Sequence, residues 1–240
     1  MPEAVTVEAA PAVPRSRVAR RIAAALVFGL AGVAILLSLG FWQLRRLDWK
    51  EGVLAEIAAR LEAAPVAVPA GPTEAADEYL HVRAAGRLLP GEVHVYTSAP
   101  PRGVGYRIIA PLELADGRRI LIDRGFVPIG EKDAPRLVGP IEVEGALLWP
   151  DETDGFTAPP DLAKNIWLAR DLPAMAQALG AEPVLVVVEA SDDPAAPMPL
   201  PVGVNIRNDH LGYAVTWFSL AGVWAMMTAL LIWRIKRRID

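Results

Sequence analysis

The chain has 240 residues, 53% of them hydrophobic and 22% charged, with a mean hydropathy of +0.30 and a net charge of −4. That is too apolar for an ordinary water-soluble protein and too polar for a multi-span transporter, so the apolar residues must be concentrated in a few places. Cysteine is absent, which excludes disulfides, thiolate metal sites and cysteine nucleophiles.

Residues 1–21 read as an N-terminal tail whose opening, MPEAVTVEAAPAVP, carries two glutamates and no arginine, unlike a mitochondrial transit sequence. Ile22 to Trp42 then runs 21 residues without a charge. At a rise of ~1.5 Å per residue this is ~30 Å of helix, enough to cross a bilayer core. The run is longer than a signal-peptide core and ends in FWQLRRLDWK rather than a small-residue cleavage site, so it reads as an uncleaved anchor over residues 22–44. Residues 45–64 continue at helical spacing as an amphipathic stalk, with Leu47, Leu54, Ile57 and Leu61 as apolar points. Gly52 weakens that helix by ~1 kcal/mol. AAPVAVPAGP then reads as a linker.

Residues 65–204 alternate in short segments, the signature of strands. Pro90-Gly91 marks a turn, and Ala115-Asp116-Gly117 a hairpin between GYRIIAPLEL and RRILIDRGFVPI. PIEVEGALLW and EPVLVVVEA are further strands, interrupted by one helix, LPAMAQAL, with Asp171 as N-cap and Gly180 just past its end. The expected fold is α+β: two transmembrane helices flanking an extracytoplasmic antiparallel β-rich domain, barrel or sandwich, with one or two helices. SDDPAAPMPLPVG is an extended connector.

The last apolar run, Leu211 to Trp233, spans 23 uncharged residues within a second transmembrane segment over 205–233, closed by a basic tail at 234–240. Eight basic residues lie outside the two runs at the chain ends (Arg15, Arg17, Arg20, Arg21, Arg234, Lys236, Arg237, Arg238), against four on the inner flanks (Arg45, Arg46, Lys50, Arg207). This bias places both termini in the cytoplasm and the central domain outside. Residues 51–209 hold 24 acidic against 13 basic residues, a net −11, which excludes a nucleic-acid binder. The lipid bilayer is the one partner the composition itself implies.

Catalytic chemistry is poorly supplied. No Gly-x-Ser-x-Gly elbow or phosphate loop occurs. Asp123 could pair with Asp151 or Glu152, as carboxylates in any acidic domain could. His81 and His94 could form a metal pair on neighbouring strands, but no third ligand sits at a ligand spacing.

His210 stands one residue before the second apolar run. A helix from it places Ala214, Trp217, Ala221, Trp224 or Ala225, and Thr228 on one face. Interfacial anchoring explains Trp42, Trp49, Tyr213 and Trp233, but not Trp217 and Trp224, which lie ~10 Å and ~20 Å along the span. An imidazole at the lip with aromatic and small residues below it could hold a flat macrocycle such as haem, with Arg207, or Arg45 and Arg46, beside its propionates. The alternative is ordinary helix packing: Ala221, Ala225 and Ala229 make a small-residue face, as do Ala25 and Gly29. On the residues alone, packing is the simpler reading.

Four stretches resemble the Surfeit locus protein 1 family. They are GFWQLRRLDWK at 40–50, DGRRILIDRGFVP at 116–128, NIWLARDLPAMAQALG at 165–180 and NDHLGYAVTWFSLA at 208–221. The second departs from the family's usual Asn-Arg-Gly-Trp at Asp123 and Phe126. The resemblance implies a non-catalytic factor of the bacterial inner membrane, its central domain periplasmic, that aids haem a insertion into cytochrome oxidase subunit I. Haem a synthase is a possible second partner. It also implies haem a as a transient cofactor. His210 falls at the position proposed as iron ligand in bacterial members, with Trp217, Arg207 and Tyr213 as candidates beside it. A scaffold without cargo, docking through Trp42, Gln43, Arg45, Arg46, Trp49 and Lys50, is the alternative.

Overall fold

The computed structural model describes residues 15–203 and 208–237. Helix α1 (Arg15–Glu62) is continuous through the first apolar run and the amphipathic stretch after it. Gly52 is carried inside it by good helix formers on both sides. Ala63, Ala64 and Pro65 end the helix, since Pro offers no backbone donor to a further turn. The segment expected as a linker is not free. Val66–Ala67 forms β1, which pairs in parallel with β2 (His81–Leu88), and Arg118 Nη1 donates to Pro69 O at 2.8 Å. A single helical turn, α2 (Glu74–Asp77), lies between the two strands.

β3 (Val93–Ser98), β4 (Val104–Leu114), β5 (Arg119–Pro128) and β6 (Gly139–Leu148) follow, with a 3-10 turn over Ile129–Glu131. Then come β7 (Ile166–Trp167), α3 (Leu172–Leu179) and β8 (Leu185–Ser191). The pairing runs β2-β6-β8-β5-β4, and β4 returns to β2 through Gly86↔Leu114 and Leu88↔Leu112. That circuit is a closed five-stranded barrel. β1 extends it beside β2, and β3 with β7 beside β4.

One expectation needs correction. The domain is not wholly antiparallel: β5 and β8 pair in parallel, as do β1 with β2 and β3 with β7. A parallel neighbour needs a crossover, here supplied by the whole stretch from β6 through α3. Pro90-Gly91 bends the chain between β2 and β3, with Gly91 at φ 98°. β2 and β3 do not pair with each other; both lie along the same edge of β4.

Val82, Leu88, Leu112, Ile120, Ile122, Val143 and Val186 fill the barrel. A second cluster packs α3, through Leu172, Met175 and Ala176, against Ile109, Leu121, Leu185 and Val187. β5 is therefore buried on both faces, without a break from Ile120 to Val127. Asp171 Oδ1 accepts from the Ala174 amide at 3.1 Å and Gly180 closes α3 at φ 62°, as its sequence predicts.

The connector after β8 is pinned rather than loose. Met198 and Phe126 exchange backbone hydrogen bonds of 2.7 and 3.0 Å. Gly125, at φ 114°, permits this, because a Cβ there would stand 2.2 Å from Met198 O. The chain ends its described course in α4 (His210–Arg237). Both α1 and α4 are long and apolar enough to cross a membrane. The chain divides into two compact units, one combining α1 through Val53 with α4, the other beginning at Leu54 and holding every described strand.

Candidate functional site

In the helical unit α1 and α4 pack antiparallel, and glycine makes their approach close. A Cβ on Gly29 would stand 2.2 Å from Thr228 Cγ2, one on Gly32 2.2 Å from Trp224 Nε1, and one on Gly40 2.6 Å from Phe218 Cε1. Phe28 packs on Trp224 and Phe41 on Phe218, each with ring centroids 5.3 Å apart. Along α1 the buried or half-buried positions Gly29, Leu36, Gln43 and Lys50 recur every seven residues. Along α4, His210, Ala214, Trp217, Ala221, Trp224 and Thr228 alternate by four and three. This is the seam of a short antiparallel coiled pair.

The packing face differs from the one expected. Ala225 and Ala229 are exposed, and the small residues that set the spacing are glycines of α1 facing large side chains of α4. Trp224 therefore packs against α1 at Gly32 while also lining a neighbouring cleft. Its Nε1 is buried against Gly32 without a hydrogen-bond partner among the described residues. A cleft of about 370 Å³ lies beside it, lined by Ala25, Phe28, Met227, Leu231 and Arg234. It lies ~20 Å along the helix from His210, and the thioether of Met227 is in its lining.

At the other end of the seam, His210 is the first residue of α4 and is half-buried. Its Nδ1 lies 2.7 Å from Gln43 Oε1. Gln43 is 8% exposed and is the one buried polar side chain among the described residues of this unit. The structure thus joins two residues that the sequence put in different roles, a ligand candidate and a docking candidate. Only the seven-residue spacing of Gln43 from Gly29 and Leu36 carried that signal. His210 Nε2 makes no hydrogen bond to the described residues. Asn208, two residues before, has its Oδ1 buried and without a partner among them.

The other candidates separate cleanly. Trp217 is half-buried on the seam, whereas Tyr213 is 57% exposed on a flank. Arg207 lies outside the described residues. Trp42 and Trp49 are 51% and 54% exposed, Arg45 and Arg46 are exposed, and the Arg46 guanidinium stacks over Trp49 at 3.9 Å. Lys50 is half-buried. The collar is thus an outward set, with Gln43 turned inward and Lys50 at the boundary.

His210 thus offers one imidazole nitrogen that makes no hydrogen bond to the described residues, the donor type that a haem iron takes as an axial ligand.

In the barrel unit the charged candidates are consumed. Asp123 is fully buried and takes a hydrogen bond from Arg107 Nη1, with Arg170 Nη1 at 3.6 Å. Arg170 also clasps Glu152 through its backbone amide at 2.9 Å and Nε at 3.0 Å. Asp123 and Glu152 therefore share a guanidinium and form a clamp, not an acid–base pair. Burial pushes the Asp123 carboxyl up, and Arg107 and Arg170 pull against it. Its neighbour Arg124 pairs with the buried Asp193 at 3.0 Å. His81 Nδ1 meets Ala63 O at 2.7 Å and His94 Nε2 meets Glu92 at 2.8 Å, so each histidine has its own partner. Among the described residues no group of three or more His, Asp or Glu could hold a metal.

Residues 30–222 match the SURF1 family. The chain belongs to the SURF1 family. A SURF1-like protein of Drosophila melanogaster is 34% identical over 221 residues, covering 78% of this chain and 71% of that one. Surfeit locus protein 1 of Homo sapiens is 31% identical over 207 residues, covering 76% and 69%. A SURF1-like protein of Monosiga brevicollis is 30% identical over 234 residues, covering 89% and 88%. In this SURF1-family chain the two inner stretches of the resemblance do structural work. Asp123, Arg124 and Gly125 tie β5 to its surroundings, and Trp167, Arg170 and Asp171 seat α3. The two outer stretches meet at Gln43 and His210.

Proposed function

We propose that this protein is a membrane-anchored assembly factor for haem-copper cytochrome oxidase, which aids maturation of subunit I by holding haem a transiently through His210. Membership of the SURF1 family supports the oxidase-assembly reading. The observation that carries haem holding is the His210–Gln43 pair at the end of an otherwise apolar helix pair, with the second ring nitrogen making no hydrogen bond to the described residues. When bound, the haem supplies an iron centre destined for the oxidase, and the protein performs no redox turnover on it. His210 supplies one nitrogen ligand, Gln43 fixes the ring, and the aromatic residues of the seam keep water from it. A single protein ligand suits a carrier that must release its cargo.

α1 and α4 cross the bacterial inner membrane with both ends cytoplasmic, a reading supported by their exposed apolar surfaces and by the basic residues at the chain ends. The barrel domain then faces the periplasm. An absorption spectrum of detergent-purified protein from cells that also produce haem a synthase tests the proposal. Haem a Soret and α bands in the wild type, lost in a folded His210→Ala variant, are the expected result. Equal haem a in both proteins would exclude His210 as ligand.

The outward set of Trp42, Arg45, Arg46 and Trp49 favours a second reading, a scaffold that docks on subunit I without cargo. Co-purification of subunit I with a haem-free protein, lost when these four residues are replaced together, would move the assignment there.

A further inference from the structure

We propose that Gln43 is the positioning residue of the site: its amide oxygen fixes the tautomer and rotation of His210, so that Nε2 is presented unprotonated as the ligand atom. The consequence for cargo rests on the haem reading above; the tautomer does not. With the amide oxygen facing the ring, as it is in this structure, Gln43 accepts, and the 2.7 Å contact then places the proton on Nδ1. A neutral ring with Nδ1–H carries its lone pair on Nε2, the atom an axial ligand uses. Ligating histidines elsewhere are held in this way by an acceptor behind the ring, which sets orientation and raises ligand basicity.

The seam makes the acceptor rigid. Gln43 sits one turn beyond Gly40, where Phe218 packs on the helix backbone, and it is buried there. A buried amide in an apolar helix pair is costly unless hydrogen-bonded. Moving the His210 ring away would strand that oxygen, so the pair holds itself in one geometry. The glutamine thus has a role distinct from the exposed tryptophans and arginines around it.

The chain has only three histidines, which makes the proton directly measurable. Full-length protein labelled with ¹⁵N-histidine in detergent at pH 8 should give a His210 signal, assigned by its loss in His210→Ala, with Nδ1 protonated and Nε2 bare. In Gln43→Leu the ring should revert toward the Nε2–H tautomer that free histidine prefers. A wild-type His210 protonated on Nε2, or a tautomer unmoved in Gln43→Leu, overturns the inference whatever the protein does with haem.

Titration with iron protoporphyrin, followed by the iron–histidine stretching band of the ferrous form, tests the consequence. Gln43→Leu should weaken binding about 10–100-fold, the range for outer-shell partners of a metal ligand. Gln43→Glu, a stronger acceptor, should restore binding and raise the stretching frequency above wild type. A tie that only holds the helices together would leave that frequency unchanged in Gln43→Glu, and this result would overturn the positioning role. Undiminished binding in His210→Ala would defeat the haem reading and leave the tautomer result standing.

Discussion

The two units of this protein are built inside out with respect to each other. The barrel packs Val, Ile and Leu inward and buries charges only as ion pairs, such as Asp123 with Arg107 and Arg124 with Asp193. The helical unit turns glycine, alanine and an amide inward and leaves Val27 70% and Phe28 69% exposed. The first pattern suits water outside; the second suits a solvent as apolar as the side chains themselves. The contrast extends to the buried polar groups. In the barrel Asp123, Arg124 and Asp193 are each used up by an opposite charge, whereas His94 meets Glu92 through Nε2 and keeps a buried Nδ1 without a partner among the described residues. In the helix pair the buried amide meets no charge but an imidazole, whose Nε2 makes no hydrogen bond to the described residues.

The comparison can be broken most forcefully in the barrel. Asp123→Ala leaves two guanidiniums beside β5 with nothing between them, an expected loss of ~3–5 kcal/mol. Thermal unfolding of the full chain in detergent, read through the near-ultraviolet dichroism of the barrel, measures it. Asp123→Asn keeps an acceptor for the Gly125 amide and should lose less. If Asp123→Ala is neutral, the buried charges do not hold the barrel in the way argued.

Next in size is Gly32→Leu, which drives a side chain into the Trp224 ring and should cost ~1–3 kcal/mol of helix pairing. Hydrogen exchange should quicken in α4 near Trp224 and stay slow in β4, β5 and β8. Equal loosening of both units would erase the division between them.

The smallest effect concerns acid. Burial pushes the Glu92 carboxyl up, but the hydrogen bond from His94 and the charge of Arg136 outweigh it and hold the group below its ordinary value of 4.5. A carboxyl depressed in the folded state contributes fully above its unfolded value and loses that contribution as pH falls through the folded one. Barrel stability should therefore decline below pH ~4.5, and Glu92→Gln should flatten that limb of the curve. An unchanged limb would free Glu92 of this role.

What the sequence disclosed was local. Asp171 and Gly180 bound α3 where their side-chain and backbone preferences put them, and Gly117 turns β4 into β5. Closure of the barrel was hidden, because the parallel contact of β5 with β8 leaves no mark on either strand beyond an apolar run. β1 and β7, at two residues each, are too short to show alternation. The site was half legible. His210 was visible as a rare residue at a helix mouth, but its partner lies 167 positions earlier. Gln43 was visible only among tryptophans and arginines, where it reads as part of an interface. The glycines of α1 were hidden in the same way, since which small residues meet is decided by the partner helix.

The place of β8 in the barrel has a consequence for synthesis. It is the last strand made, yet it sits between β6 and β5. Until Leu185–Ser191 has been translated and delivered, the barrel is an open sheet with two raw edges facing each other across a gap. Only the residues between Ser191 and His210 then separate that strand from α4, a few seconds at ~5–20 residues per second. A chain stopped before Leu185 would lose more than its second helix. It would expose both edges of an unfinished barrel, and aggregation or proteolysis, rather than loss of an anchor, would set its fate.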